Sequence, residues 1–173
     1  MANEMKRALR AAKWRGYAIN ALVVVAVVAG IRLWQQRDMA SGAAPLLQGI
    51  TLTGSHYKLS ARPEHPVLVH FWATWCPVCR AEQGNIAAIA RDDASVVTVA
   101  MQSGAPQEVV RYLQEQQLDF PVVNDADGRI AAAWGVHAVP ASFIVAPDGR
   151  VRFVEVGYTT EMGLRLRLWL AGL

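Results

Sequence analysis

The chain has 173 residues, of which 53% are hydrophobic and 18% charged, with a formal net charge of +3. This composition excludes a disordered polymer and is enough for one domain plus an appendage. The basic excess lies at the N-terminus: residues 1–15 hold five basic side chains and one acidic one, and residues 36–173 hold 11 basic and 13 acidic ones. No basic stripe with interleaved aromatic residues follows, so nucleic-acid binding is not expected.

An apolar run follows the basic start. Residues 16–31 read GYAINALVVVAVVAGI, without a formal charge, and with three further residues the run approaches the roughly 20 that cross a bilayer as a helix. Tyr17 and Trp34 suit the two membrane interfaces. The positive-inside rule predicts that residues 1–15 are cytoplasmic and that 16–34 form a single-pass signal anchor in the inner membrane. The rest of the chain would lie in the periplasm of a Gram-negative source.

Two alternatives compete with the anchor. A buried core helix leaves the flanking charge asymmetry unexplained, and a cleaved signal peptide could use the small residues 40–44 as its cleavage region. We favour an uncleaved anchor, because that cluster lies about ten residues past the apolar run, which is far for a signal peptidase. Residues 35–49 are then predicted to be a tether, and residues 50–173 the globular domain.

The predicted elements of the domain alternate between strands and helices. They are a hairpin of 50–52 and 56–59, a buried strand over 67–72, a helix over 77–91, a strand over 96–100, a helix over 106–117, an extended piece over 120–123, a helix over 129–134, a hairpin of 141–145 and 151–156, and a terminal helix over 159–170. The last segment also alternates like a strand, but a terminal helix would cover one face of the sheet. This order predicts an α/β domain whose parallel strands are joined by crossover helices.

Cys76 and Cys79, in the stretch WCPVC, are the only cysteines. A structural zinc site needs four ligands, and the single Cys-x-x-Cys provides only two. A disulfide that closes two intervening residues removes little chain entropy, so a structural staple is a weak explanation. Two thiolates can hold copper(I), and that alternative stays open.

A redox dithiol has a physical mechanism. Cys76 follows a buried strand and starts a helix, whose N-terminal N–H groups favour a thiolate, and Cys79 lies one turn further along. Cys76 would attack a disulfide, and Cys79 would resolve the mixed disulfide. Val139-Pro140 stands directly before a strand, where a cis proline facing the cysteines would offer a backbone edge to a substrate peptide. An ordinary trans proline is the alternative.

The stretch LVHFWATWCPVCRAE, with FPVV, WGV, VP before FIV, and DG further on, resembles the membrane-tethered thioredoxin-like proteins of the TlpA, ResA and cytochrome c maturation (DsbE-like) type. The resemblance implies a thioredoxin fold with three α/β/α layers and a central mixed sheet. It implies a monomer without cofactor or metal that reduces disulfides of exported client proteins and takes electrons from a transmembrane thiol donor of the DsbD type. It also implies that Glu82 acts near the cysteines and that substrate contacts Trp75, Pro77, Val139 and Pro140.

The sequence leaves three points open. The ending VGYTT followed by LRLR resembles the suppressor-of-copper-sensitivity group, which predicts a role in copper tolerance. Oxidase or isomerase activity is the alternative direction of exchange, and Glu82 could be a solvated carboxylate. His70 stands where many thioredoxins have a buried carboxylate, and it could move protons near neutral pH or be a hydrogen-bonded core residue.

Overall fold

The computed structural model describes residues 17, 19–20, 22–27, 30–31, 37, 39–92 and 95–173. The chain divides into two compact units, Met1–Arg37 and Asp38–Leu173. In the first unit, the described residues between 17 and 31 are helical and exposed. The predicted cytoplasmic segment, 1–15, lies outside the described residues, and the predicted anchor, 16–34, is described only in part. Within what is described, no helix combines the length and the apolar character that a bilayer crossing requires.

The second unit contains a mixed sheet. Its described elements, in chain order, are β1 (Gly42–Ala43), β2 (Gln48–Ile50), β3 (His56–Lys58), β4 (Val67–Trp72), α1 (Pro77–Asp92), β5 (Val96–Met101), α2 (Pro106–Glu115), β6 (Val122–Asp125), α3 (Arg129–Ala133), β7 (Ala141–Val145), β8 (Arg150–Val156) and α4 (Glu161–Ala171). Six strands pair in the order β1, β8, β7, β4, β5, β6, and β2 pairs with β3 separately. β4, β5 and β6 are parallel, whereas β7 and β8 are antiparallel to their neighbours.

The sheet is covered on both faces. All six residues of β4 are buried, and their side chains alternate between the two faces. Leu68 and Trp72 pack with residues of α1, α2 and α4, whereas Val69 and Phe71 pack on the other side with Trp134, which follows α3. The continuous apolar run in the sequence therefore marks a strand with a core on each side, and the predicted three layers are observed.

The predicted boundary between tether and domain requires correction. Residues 39–49 belong to the globular unit: Met39 and Leu47 are core residues, and β1 pairs with the edge strand β8. The sequence hid this because β1 is only Gly42 and Ala43, which join the sheet through backbone hydrogen bonds and carry no side-chain pattern. The domain therefore begins near Asp38.

Most other predicted elements are found, with shifted ends. The first hairpin starts two residues earlier than predicted, and Thr51 instead bridges to Val123 of β6. The terminal segment is a helix, as predicted. Its start is set by Thr160, whose hydroxyl accepts a hydrogen bond from the Gly163 N–H, and Leu164 and Leu168 on one side of it are buried in the core.

Candidate active site

The two cysteines lie where β4 ends and α1 begins. Pro77 occupies the first turn of α1, where a missing N–H leaves no hydrogen bond unmade. Cys76 and Cys79 are each only 3% exposed, and their sulfurs are not bonded to each other. The backbone N–H of Cys79 donates to the Cys76 Sγ over 3.1 Å. The N-terminus of a 16-residue helix thus points one of its free donors at the first sulfur.

The two thiols have different environments. Burial raises the pKa of the Cys79 thiol well above its ordinary range, and the hydrogen bond to Cys76 and the charges of Cys76 and Glu82 raise it further. Cys79 is therefore a protonated thiol at neutral pH. Cys76 Sγ lies 3.5 Å from the carbonyl oxygen of Val139, to which its thiol donates. The first cysteine thus contacts the segment before β7, and the second is enclosed by α1 and the core.

The segment Val139-Pro140 is brought next to the dithiol by the pairing of β7 with β4. The peptide bond between these residues is cis, which confirms the prediction from the sequence. Pro140 itself is buried, Val139 is partly buried, and the Val139 carbonyl is the group that faces Cys76. The structure therefore places the segment Val139-Pro140 beside Cys76, as predicted from the sequence.

Trp75 and Pro77 directly precede and follow Cys76, and both are exposed. Trp75 is 60% exposed, and its indole N–H donates to the carbonyl oxygen of Gln102 over 3.0 Å. The Thr74 N–H donates to the Ser103 hydroxyl, which in turn donates to a carbonyl of β5. The analysis of the sequence did not identify Gln102 and Ser103. Their position directly after β5 was the available signal, because the carboxyl ends of adjacent parallel strands meet at one edge of a sheet.

Glu82 lies one helical turn after Cys79 and is completely buried. Its Oε1 accepts a hydrogen bond from the Thr159 N–H over 3.1 Å, and its Oε2 is buried without a hydrogen-bond partner. Burial raises the pKa of Glu82 to about 7, against the opposing effect of the Thr159 N–H. The alternative of a solvated carboxylate is therefore wrong. Glu82 is a buried acid that titrates near neutral pH and interacts electrostatically with Cys79.

His70 is a hydrogen-bonded core residue. It lies on the central strand and is 2% exposed, and its Nδ1 and the Ser142 hydroxyl share a hydrogen bond of 2.9 Å. Burial lowers the pKa of His70 to about 3, so the imidazole is neutral around pH 7. Of the two explanations that the sequence left open, the structure favours the core residue over a proton carrier at neutral pH.

No group of three or more His, Cys, Asp or Glu side chains suited to a metal ion occurs in the part of the chain that the structure describes. The dithiol itself retains two sulfurs one turn apart, which are ligands suited to copper(I).

The Redoxin family profile matches residues 36–164 of this chain. A thioredoxin-like protein of Haemophilus influenzae is 33% identical over 121 residues, which cover 69% of this chain and 72% of that protein. The thiol:disulfide interchange protein DsbE of Escherichia coli is 26% identical over 165 residues, 86% of each chain. The crystal structure of a thiol:disulfide interchange protein of the thioredoxin family from Chlorobium tepidum has a TM-score of 0.66 and 26% identity, covering 78% of this chain and 98% of that one.

These similarities confirm the expected thioredoxin fold with a mixed sheet and agree with the DsbE-like resemblance seen in the active-site stretch. They extend over the strands and helices that position the cysteines. The chain is a thiol–disulfide oxidoreductase and belongs to the Redoxin family.

Proposed function

We propose that the chain is a membrane-anchored reductase of disulfides in exported client proteins, with Cys76 as nucleophile, Cys79 as resolving thiol and Glu82 as proton acceptor. The observation that supports this assignment best is the difference between the two sulfurs. Cys76 Sγ accepts the N–H of Cys79 at the start of α1, whereas Cys79 is enclosed and protonated beside a buried acid. The N–H at the start of α1 is thus directed at the sulfur that we assign as the nucleophile.

The reaction proceeds in two exchanges. The Cys76 thiolate attacks one sulfur of a client disulfide, which forms a mixed disulfide and releases the other client sulfur as a thiol after protonation. Cys79 then loses its proton and attacks Cys76 Sγ, which releases the second client sulfur. The client gains two electrons and two protons, and the enzyme is left with a Cys76–Cys79 disulfide.

Glu82 makes the second exchange possible near neutral pH. The thiol of Cys79 is a weak nucleophile until it is deprotonated, and its raised pKa makes spontaneous loss of the proton rare. A carboxylate with a pKa of about 7 one turn away can take that proton and return it in the reverse direction. Burial suits Glu82 to this role because it brings the pKa of the acid toward that of the thiol.

Client peptides dock along Val139-Pro140 and the exposed Trp75 and Pro77. The backbone before β7 has its Val139 carbonyl at Cys76, so a client strand laid against it brings its disulfide to the nucleophile. Trp75 offers an exposed aromatic face held in place by Gln102. No nucleic acid takes part, and the enzyme acts as a monomer.

The reducing direction, the DsbD-type electron donor and the link to cytochrome c maturation or copper stress rest on the family resemblance. The membrane anchor rests on the apolar run 16–34 and its basic N-terminal flank. In support, the described residues of that run are helical, and large apolar side chains such as Leu22 and Val25 are exposed. Residues 1–15 would be cytoplasmic, and the domain periplasmic.

The test is the reduction potential of the domain, residues 38–173, in glutathione and dithiothreitol buffers. A value at or below about −220 mV agrees with a reductase. A value near about −120 mV shows a strong oxidant and overturns the proposed direction. A domain that binds copper(I) tightly but reduces no disulfide would instead establish the alternative function, a copper(I) module that uses the same two thiols.

A further inference from the structure

The loop between β8 and α4 is held against α1 by two side chains. The backbone N–H of Thr159 donates to Oε1 of Glu82 over 3.1 Å, and the carbonyl oxygen of the same residue accepts a hydrogen bond from the Asn85 amide over 3.0 Å. The Asn85 amide also donates to the Tyr158 hydroxyl over 3.3 Å. Both backbone groups of one loop residue are therefore bound by α1, one by the buried acid of the active site and one by the amide that follows it on the helix.

The spacing along α1 aligns Asn85 with the reacting groups. Cys79, Glu82 and Asn85 follow one another at intervals of three residues, so they lie along the same side of the helix. Because a carbonyl oxygen can only accept hydrogen bonds, the nitrogen of the Asn85 amide must face Thr159. The row of side chains that starts at the resolving thiol thus ends at an amide that binds the loop.

The middle of this loop depends on Asn85 for its position. At one end of the loop, the N–H of Gly157 donates to the carbonyl oxygen of Pro140, and at the other end the hydroxyl of Thr160 caps α4. Among the described residues, Glu82 and Asn85 are the two side chains from another element that hydrogen-bond to the loop between these ends. Without the amide, the loop N–H that reaches the acid would be held there only by its own hydrogen bond.

The Thr159 N–H is the hydrogen bond that stabilises negative charge on Glu82, whose Oε2 is buried without a partner in the described part of the chain. A hydrogen bond to the ionised form of an acid favours that form, so this N–H lowers the pKa of Glu82, which burial raises. The other ionisable groups that face this part of α1 are Cys76 and Cys79 on the helix itself, Tyr158 in the loop, His70 on β4, and Glu161 and Arg165 on α4. Arg165 bonds to Glu161, and His70 bonds to Ser142.

We propose that Asn85 is a positioning residue for the second exchange, because it holds the backbone of Thr159 so that the N–H stays on Oε1 of Glu82. The proposal rests on the role of Glu82 as proton acceptor, proposed above. With Oε1 bound, Oε2 is the oxygen that is free to take the proton from Cys79 Sγ. The Cys79 thiolate then attacks Cys76 Sγ, and the client sulfur leaves with the electron pair of the broken S–S bond.

The first test is the titration of the Glu82 carboxyl group by ¹³C NMR, in the reduced full chain held in detergent micelles and labelled at glutamate. The signal of Glu82 is identified by its absence from Glu82→Gln. We expect its titration midpoint to rise by about one pH unit in Asn85→Ala, because a loosened N–H favours the carboxylate less. Asn85→Asp keeps the size of the side chain and cannot donate once it is ionised. It should raise the midpoint further, because it adds a negative charge one turn from Glu82.

Gln83→Ala is the matched control. Gln83 is also a partly buried amide on α1 and is the neighbour of Glu82 in the sequence, but its side chain bonds to Gln116 and Tyr112 on the side of α2. Its removal deletes an amide contact of similar size and leaves the Thr159 backbone in place. We therefore expect the midpoint of Glu82 to stay unchanged in this variant.

The second test is the rate at which a client is released from its mixed disulfide with Cys76. If the pKa of Glu82 rises by about one unit from about 7, the ionised fraction at pH 7 falls from about one half to about one tenth. Release by Asn85→Ala should therefore be about fivefold slower than in the wild type at pH 7, and the two rates should converge by about pH 9. A purely structural role of Asn85 would slow release equally at every pH.

The outcomes separate this proposal from the proposed function. An unchanged midpoint in both Asn85 variants, or an equal rise in Gln83→Ala, overturns the proposal, and so does a slowing of release that is the same at every pH. If Glu82→Gln releases the client as fast as the wild type, Glu82 is not the proton acceptor, and neither residue has a role in the exchange. If Glu82→Gln is slow and the midpoint rises only in the Asn85 variants, with slowing confined to low and neutral pH, Asn85 is confirmed as the positioning residue.

Discussion

Glu82→Gln is the variant whose consequences the structure specifies most closely. The folded state holds Glu82 with a pKa of about 7 against an ordinary value of 4.5, because the carboxyl group is buried. An acid with a raised pKa destabilises the fold when it is ionised, so the cost is absent below pH 4.5, grows as the pH rises toward 7 and is complete above it. At about 1.4 kcal/mol per pKa unit, ionised Glu82 costs about 3 kcal/mol.

Glutamine removes the ionisation and keeps an oxygen that can accept the Thr159 N–H. We therefore expect the free energy of unfolding of reduced Glu82→Gln to exceed that of the wild type by about 3 kcal/mol at pH 8 and to match it near pH 4.5. The measurement is urea unfolding of the reduced domain across this pH range. Glu64→Gln, which changes an exposed loop carboxylate, is the control and should give a flat difference.

The same variant separates stability from catalysis. Glutamine cannot take the proton of Cys79, so the second exchange should slow at pH 7 although the domain has become more stable. Stopped-flow measurement of the release of a client from its mixed disulfide with Cys76 tests this. A stability difference that does not change between pH 4.5 and 8, or a release rate equal to that of the wild type, would refute the reasoning about Glu82.

The other predictions concern the cysteines, the cis proline and the core histidine. Cys76→Ser should abolish exchange, whereas Cys79→Ser should accumulate mixed disulfides through Cys76; gel analysis without reductant that shows no covalent client would contradict this division of roles. Pro140→Thr should slow client release several-fold, and unchanged turnover kinetics would count against a substrate-facing role. The pKa of His70 is lowered, so the free energy of unfolding of the wild type should fall by a few kcal/mol between pH 6.5 and 3, as the unfolded chain takes up a proton. The free energy of unfolding of His70→Asn should fall less over the same range. If the two pH profiles are parallel, the assignment of His70 as a buried neutral imidazole is wrong.

The sequence does not reveal which distant residues contact each other in the fold. Glu82 and Thr159 are 77 positions apart, and it is their contact, with the core around it, that makes the acid buried rather than solvated. Gln102 and Ser103 support the active-site segment from the next strand, and nothing in their own local pattern distinguishes them from an ordinary loop. The start of the domain was placed too late for a related reason, because β1 is defined by its pairing with β8 and not by its side chains.

The sequence by itself determined the reacting groups and the strand and helix that carry them. Two cysteines three positions apart at a helix start lie one turn from each other, and a run of six residues of which five are apolar indicates a strand buried on both faces, because these relations depend on local geometry. Only the tertiary structure decided which groups are shielded from water. That shielding sets the protonation of Cys79, Glu82 and His70, since the cost of burying a charge depends on neighbours that the chain brings together from distant positions.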